Sequence, residues 1–386
     1  MKRLAAALLA ASLMILPAQA AAGPEPSASP AGAPAVDAAS WVLMEKETGN
    51  ILCAEHPHDK LEPASVTKVM TLLLVMEAIS QGRLSLTDTV QVSAHAASMG
   101  GSQVYLKEGE LMTVDDLLKA VAVASGNDAA VALAEHLAGS EEAFVERMNQ
   151  RAAQLGMADT CFVNCTGLPA AGHLTSAYDI ALMSRELILH HPDIRSYTTI
   201  WMDTLRDGTF QLSNTNKLIR FYEGATGLKT GSTDAARFCI SATAERDGME
   251  LIAVIMKSPT KDTRSEAAKA LLNFGFANYT LMDVYPNQAL PPIEVLLGEQ
   301  AQVQPVLGQS SRILIDKSQL NAVESRVELC ENVEAPVEAG QKLGEMVVFV
   351  GDQVLQTIPI VADQPVERIT IPGIFLRLVR GLFMAG

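Results

Sequence analysis

The run from Val69 to Ile79 carries a single charged residue, Glu77, and reads as a helix buried on nearly every side, which obliges the chain to build a core around it. Pro63 presets the entry, Ser65 opens the helix, and Gly82 closes it. Ser65 and Lys68 are three residues apart, so their side chains share one side of the helix start. A serine hydroxyl is a weak nucleophile, and an amine held in apolar surroundings has its pKa lowered until it can accept the hydroxyl proton. The pair suits acyl transfer. It also describes a helix-start serine beside a surface lysine, so its meaning depends on partners downstream.

With 386 residues, 48% of them apolar, the chain can bury a full core and is long enough for two domains. Lys2-Arg3, the apolar stretch Leu4 to Leu16 and Ala18-Gln19-Ala20 form the pattern of a secretory signal over residues 1–20. Its apolar stretch is too short to span a bilayer comfortably, so export is expected. Residues 21–36 are rich in Pro, Ala, Gly and Ser and read as a flexible linker. The cysteines are Cys53, Cys161, Cys165, Cys239 and Cys330, an odd set that defines no disulfide scaffold. Cys161 and Cys165 are close enough in sequence to bridge, but in so large a chain all five read as small buried hydrophobes. The histidines show no metal-ligand spacing and read as surface residues, so neither a metal nor a cofactor is expected. A formal charge of −15 without a basic cluster excludes nucleic acid as a partner.

Trp41 to Lys46 and Ile51 to Glu55 flank Thr48-Gly49-Asn50 and predict a hairpin. Ser93 to Glu110 reads as a long loop bordering a cleft. Thr113-Val114-Asp115-Asp116 resembles a capping box ahead of a helix over 117–124, and Ser125-Gly126-Asn127 interrupts it before another over 128–137. Helices follow over 141–155 and 175–189, the latter capped by Thr175 or Ser176. Gly224 to Ser232 is rich in glycine, but Leu228 occupies the position where a phosphate loop needs glycine, so no nucleotide site is inferred. Phe238 to Thr243 and Met249 to Lys257 predict a second hairpin, with Lys229-Thr230-Gly231 on an adjoining strand. One more helix is expected over 263–276. From Val284 short Val, Ile and Leu runs indicate a small all-β domain. Pro372 to Met384 places Arg377 and Arg380 on one side of an apolar helix too short to span a membrane; it reads as interfacial, with docking onto the protein as the alternative.

Ser65-x-x-Lys68, Ser125-Gly126-Asn127 and Lys229-Thr230-Gly231 occur in the order that marks penicillin-binding proteins and serine β-lactamases. Over essentially its whole length the sequence resembles the serine D-alanyl-D-alanine carboxypeptidases, the low-molecular-mass penicillin-binding proteins. Gly172-His173-Leu174-Thr175 through Asp179 and Asn214-Thr215-Asn216 look like further motifs of that family. The resemblance implies an α+β fold: a penicillin-binding domain over 37–277 with an antiparallel sheet flanked by helices, a β domain over 284–366, and an amphipathic membrane-association helix over 371–386. It implies Ser65 as the acylated nucleophile, Lys68 as its base, Ser125 and Asn127 as proton relay and substrate anchors, and Lys229 as an electrostatic partner. Thr230, Gly231 and Ser232 would bind substrate, with the oxyanion between the Ser65 and Ser232 amides. Arg264 would face the substrate carboxylate; an ordinary helix-surface arginine is the alternative. Ser232 departs from the histidine that several family members carry, which implies an altered pH or rate profile with activity retained.

Implied partners are a peptidoglycan pentapeptide, β-lactam antibiotics as covalent inhibitors, and a membrane surface. The implied location is the outer face of the cytoplasmic membrane, or the periplasm or cell wall. Three rivals share this fold. A β-lactamase of class A needs a Glu-x-x-Leu-Asn motif, and Glu186-Leu187-Ile188-Leu189-His190 lacks the asparagine. An endopeptidase or transpeptidase would use the same acyl-enzyme. A catalytically silent wall-binding protein would have little use for intact Ser65, Lys68, Asn127 and Lys229.

Overall fold

The computed structural model describes residues 32–375. The signal segment, most of the linker and the greater part of the C-terminal amphipathic stretch lie outside the described residues.

Five strands form the central sheet: β1 (Ser40–Glu45), β2 (Ile51–Glu55), β3 (Ala225–Thr233), β4 (Arg237–Arg246) and β5 (Met249–Ser258). Their order is β2-β1-β5-β4-β3, and every neighbouring pair is antiparallel, including both expected hairpins. The strands are apolar on both faces because both are covered. Trp41 and Leu43 of β1 join Leu251, Ala253 and Ile255 on one side, while Val42 and Met44 join Ile252 and Val254 on the other.

The helices are α1 (Lys68–Ser80), α2 (Val114–Ala124), α3 (Asn127–Ala138), α4 (Glu141–Gln154), α5 (Ala177–His190) and α6 (Lys261–Asn278). α6 covers the first face with Ala267, Ala268, Leu271 and Leu272, and the other five pack on the second. α1 is buried without a break from Lys68 to Met76, as its lack of a polar face requires. The caps are local: Thr113 Oγ1 accepts from the Asp116 amide (3.1 Å), and Ser176 rather than Thr175 caps α5 through the Asp179 amide (3.2 Å).

After α6, β6 (Tyr279–Asp283) pairs with β7 (Arg312–Asp316). Beyond them β8 (Val323–Leu329), β9 (Lys342–Val350) and β10 (Gln353–Ala362) form a four-stranded sheet with Pro305–Leu307, and Ile293–Leu296 centres a three-stranded one. Arg312 Nη1 donates to both Glu47 carboxylate oxygens (3.1 and 3.2 Å), and Lys317 Nζ donates to the Phe276 carbonyl at 2.7 Å, which ties this β unit to the first.

Several expectations need correction. Ser65 does not lie in the long helix but in a 3-10 turn, Ala64–Thr67, and α1 starts at Lys68. The second helix begins at Asn127, one residue early, so the asparagine is mounted on it. The loop from Ser93 contains a short helix, Ala94–Ala97. Only Cys53, Cys165 and Cys239 are buried; Cys161 and Cys330 are exposed, and all five are free thiols. His173 is buried rather than at the surface. Residues 371–375 are helical, with Ile371 84% exposed, and among the described residues no helix is long and apolar enough to cross a membrane.

Candidate active site

The turn that carries Ser65 is held in place by close backbone packing. Ala64 adopts φ +48°, a left-handed conformation that costs an L-residue free energy and persists only when its surroundings enforce it. Gly167, with φ +82°, packs against the Ala64 carbonyl so tightly that a Cβ would sit 1.8 Å from that oxygen. Beneath the turn, the Val163 amide donates to His173 Nδ1 (3.1 Å), which leaves the ring proton on Nε2 to donate to Thr67 Oγ1 (2.8 Å). Burial pushes the His173 pKa down to about 4, so the ring stays neutral and the proton stays on Nε2 at neutral pH.

Lys68 is fully buried, and its Nζ has three neighbours: Ser65 Oγ at 3.0 Å, Asn127 Oδ1 at 2.6 Å and the Thr166 carbonyl at 2.8 Å. Asn127 Nδ2 donates to the Gly100 carbonyl (2.6 Å), which fixes the amide with Oδ1 towards the lysine. Oδ1 and the Thr166 carbonyl can only accept. A neutral amine has two N–H bonds and one lone pair, so those two acceptors take both hydrogens and the lone pair faces the Ser65 hydroxyl. Burial lowers the Lys68 pKa to about 7, which makes the neutral amine available near neutrality.

Ser125 ends α2 in the left-handed region (φ 63°, ψ 30°), and this bend brings both Ser125 and Asn127 to the cleft. The Ser125 hydroxyl is buried without a hydrogen-bond partner among the described residues. The facing loop is anchored by buried Asp128, whose carboxylate accepts from the Val104 and Leu106 amides at 3.0 Å each.

β3 forms the opposite wall. A Cβ on Gly231 would lie 2.8 Å from the Ser65 nitrogen, so only glycine lets this strand pass beside the nucleophile's amide. Lys229 is buried, and its Nζ donates to the Thr230 carbonyl at 2.9 Å. Burial, and then the positive fields of Lys68 and Arg264, hold its pKa well below the usual lysine value. Thr230 Oγ1 donates to Thr215 Oγ1 (2.8 Å). Arg264 is 6% exposed, its Nη1 reaches the Cys239 carbonyl at 3.4 Å, and its Nε has no partner among the described residues. It is therefore no surface arginine. Burial lowers its pKa, yet guanidinium stays protonated in proteins and supplies the cleft's fixed positive charge. Ser65, Ser125, Thr215, Thr230, Ser232 and Arg264 all line one cleft of about 400 Å³.

The structure thus brings every sequence-derived site residue to one place, with Lys68, Asn127 and Lys229 buried behind the cleft wall. Sequence reasoning missed the carbonyl of Thr166, the His173–Thr67 bond, Asp128 and Thr215. Two of these had a signal: Thr215 as the centre of Asn214-Thr215-Asn216, and His173 within Gly172-His173-Leu174-Thr175.

A serine hydroxyl 3.0 Å from a buried lysine amine, on a turn packed beside an antiparallel sheet flanked by helices, is the arrangement of a serine acyl-transfer enzyme of the penicillin-binding class. The family model of D-alanyl-D-alanine carboxypeptidases matches residues 27–260, and that of the penicillin-binding protein 5 C-terminal domain matches residues 280–368. The chain is 41% identical over 337 residues to D-alanyl-D-alanine carboxypeptidase DacF of Bacillus subtilis, covering 86% of each chain. It is similar to the crystal structure of penicillin-binding protein 5 from Haemophilus influenzae, with TM-score 0.79, 31% identity, and coverage of 87% of this chain and 99% of that one. It is also similar to penicillin-binding protein D2 of Listeria monocytogenes in its ampicillin-bound form, with TM-score 0.58, 31% identity, and coverage of 62% and 98%. The chain belongs to the D-alanyl-D-alanine carboxypeptidase family.

Proposed function

We propose that this protein is a serine D-alanyl-D-alanine carboxypeptidase that removes the terminal D-alanine from peptidoglycan stem pentapeptides through an acyl-enzyme on Ser65. The observation that carries this reading is the buried Lys68 amine, 3.0 Å from Ser65 Oγ, with Asn127 Oδ1 and the Thr166 carbonyl as its two other neighbours. Lys68 takes the hydroxyl proton as Oγ attacks the penultimate residue's carbonyl carbon. The Ser65 and Ser232 amides hold the oxyanion. As the C–N bond breaks, the departing D-alanine nitrogen takes a proton from Lys68 by way of the Ser125 hydroxyl, with Asn127 holding the amine in place. Water then attacks the ester carbonyl as Lys68 accepts its proton, and as the C–O bond to Ser65 breaks that proton passes from Lys68 to Oγ, freeing the shortened peptide. A β-lactam presents a strained amide to the same serine, but its leaving nitrogen stays tethered after ring opening, so the adduct persists.

Thr230 and Arg264 receive the substrate's terminal carboxylate, with Lys229 behind the wall as an electrostatic partner, and the charge-assisted contact with Arg264 contributes roughly 1.5 to 3 kcal/mol. A peptide ending in D-Ala-D-Ala should therefore release one D-alanine, and its C-terminal amide should react about ten- to a hundredfold more slowly in kcat/KM. Equal rates for acid and amide point to an endopeptidase, and cross-linked product in place of D-alanine points to a transpeptidase.

We assign residues 1–20 to a cleaved export signal, 37–277 to the catalytic domain, 284–366 to the β domain, and 371–386 to a helix on the outer face of the cytoplasmic membrane. Ile371 and Phe375, 84% and 67% exposed, support the last assignment. Removing Ile374 to Gly386 should release active enzyme from the membrane fraction. Equal solubility of both forms would place the helix on the protein instead.

A further inference from the structure

We infer that Glu141 is a positioning residue for acylation: from outside the cleft, its carboxylate holds the segment that presents the Thr166 carbonyl to Lys68. This rests on Lys68 as the base that activates Ser65, and it adds a residue that keeps the amine aimed.

Glu141 is the first residue of α4, where Ser140 Oγ caps the helix by accepting from the Ala143 amide (3.1 Å). A helix start favours a negative charge. Glu141 does not line the cleft, and its side chain is 13% exposed. Its Oε1 accepts from the Cys165 amide at 3.0 Å, and its Oε2 meets His95 Nε2 at 2.9 Å. Each contact belongs to a backbone segment that holds one of the groups around Lys68.

The first segment is Asn164 to Gly167. The Cys165 carbonyl accepts from Thr71 Oγ1 at 2.7 Å and the Thr166 carbonyl accepts from Lys68 Nζ at 2.8 Å, so two consecutive carbonyls are bound by α1. Lys68 and Thr71 are three residues apart on that helix, which sets both donors on one side of it. Asn164 Oδ1 accepts from the Thr166 and Gly167 amides (3.2 and 2.7 Å), but Asn164 belongs to the segment and moves with it. Glu141 holds the segment from a different helix, at the amide next to those carbonyls. The Thr166 carbonyl cannot turn away from Lys68 with this segment unless a bond to a largely buried carboxylate is given up, which is costly.

The second segment is the loop that begins with His95, on the short helix Ala94–Ala97. Its Gly100 carbonyl accepts from Asn127 Nδ2 (2.6 Å), and its Ser102 carbonyl accepts from the Asn127 amide (2.7 Å). One carboxylate therefore joins the two stretches of backbone that fix the lysine's acceptors. Reach, not charge, decides this role. Glutamine keeps an oxygen for the Cys165 amide, and its Nε2 can donate to His95, whose ring nitrogen accepts in the other tautomer. Aspartate keeps the charge and is shorter by one methylene.

The test follows a fluorescent penicillin on the full-length enzyme, separating the acylation rate constant from the Kd of the complex that precedes it, with the labelled fraction counted by intact mass. Glu141→Ala should lower the rate constant by about tenfold or more, with Kd within about threefold of wild type because the residue does not line the cleft. Glu141→Asp should lose more than about threefold, and Glu141→Gln should stay within about threefold of wild type. A purely structural role would reduce the labelled fraction and leave the rate constant of the remaining molecules unchanged. A wild-type rate constant in Glu141→Ala, or a Glu141→Gln as slow as Glu141→Ala, overturns the inference. Where Glu141→Ala fails to label at all, the other two variants decide, and a Glu141→Asp as fast as Glu141→Gln overturns it. Lys68→Met run alongside separates the two readings: near-normal acylation there overturns the base role and the positioning with it, whereas a slow Lys68→Met beside a fast Glu141→Ala overturns the positioning alone.

Discussion

Lys68→Met should slow penicillin acylation of Ser65 by about a hundred- to ten-thousandfold while the chain stays folded, the range expected when a positioned general base is removed. Methionine fills similar space without a lone pair basic enough to take the hydroxyl proton. Asn127 Oδ1 and the Thr166 carbonyl lose their donor in this variant, so some loss of stability accompanies the loss of rate. Near-normal acylation in Lys68→Met would assign the base role elsewhere.

The same lysine sets the pH profile. Its pKa is lowered to about 7, so the neutral, proton-accepting form grows as pH rises through that value. Acylation followed with a fluorescent penicillin should increase through about pH 7 and level off above it. A rate constant that is flat from about pH 5 to 9 would exclude Lys68 as the titrating base. The sign for stability is the same. Between about pH 7 and the ordinary lysine value of 10.5 the unfolded chain binds a proton that native Lys68 does not, so stability rises with pH across that window. Lys68→Met should lose this part of the slope, and Lys229, which is shifted in the same direction, should keep its own.

Gly167→Ala should cost about 3 to 5 kcal/mol and abolish acylation as well, although residue 167 does not line the catalytic cleft. Two penalties combine there: a left-handed φ of +82°, and a Cβ 1.8 Å from the Ala64 carbonyl oxygen. Relief requires the turn bearing Ser65 to move away from the segment whose Thr166 carbonyl orients Lys68. Gly109→Ala is the control, because φ is +77° there and nothing lies within 4 Å of the added methyl. Urea unfolding of both variants checks this; a loss below about 1 kcal/mol in Gly167→Ala, with acylation intact, would rule it out.

The two results concern different kinds of residue, and that difference governs what the sequence could reveal. Ser65 and Lys68 are three apart on one turn, so their meeting is a property of local geometry. The buried helix behind them was legible from composition alone, and the hairpins from alternation around Gly49 and Gly248. Thr166 acts through its backbone carbonyl across 98 residues, and His173 reaches Thr67 across 106, so side-chain identity carries no local trace of either contact. Reading the histidines as surface groups failed at His173 because its partners, the Val163 amide and Thr67, are set by tertiary packing. For Arg264 the resemblance implied a place near the substrate carboxylate, while the residues alone left a helix-surface arginine open; the helix packs that face towards β4, and the guanidinium ends at the Cys239 carbonyl. Cys161 and Cys330 show the reverse error, since the usual burial of free cysteine does not bind any individual residue to the interior.

An end strand is a place where two protein molecules could join edge to edge, the usual starting point of aggregation. At β3 the turn at Pro63 and Ser65 packs over the strand so closely that even a methyl on Gly231 would collide with it. What pulls on that strand therefore pulls on the turn that carries Ser65, so self-association there would register as a change in the rate of acylation.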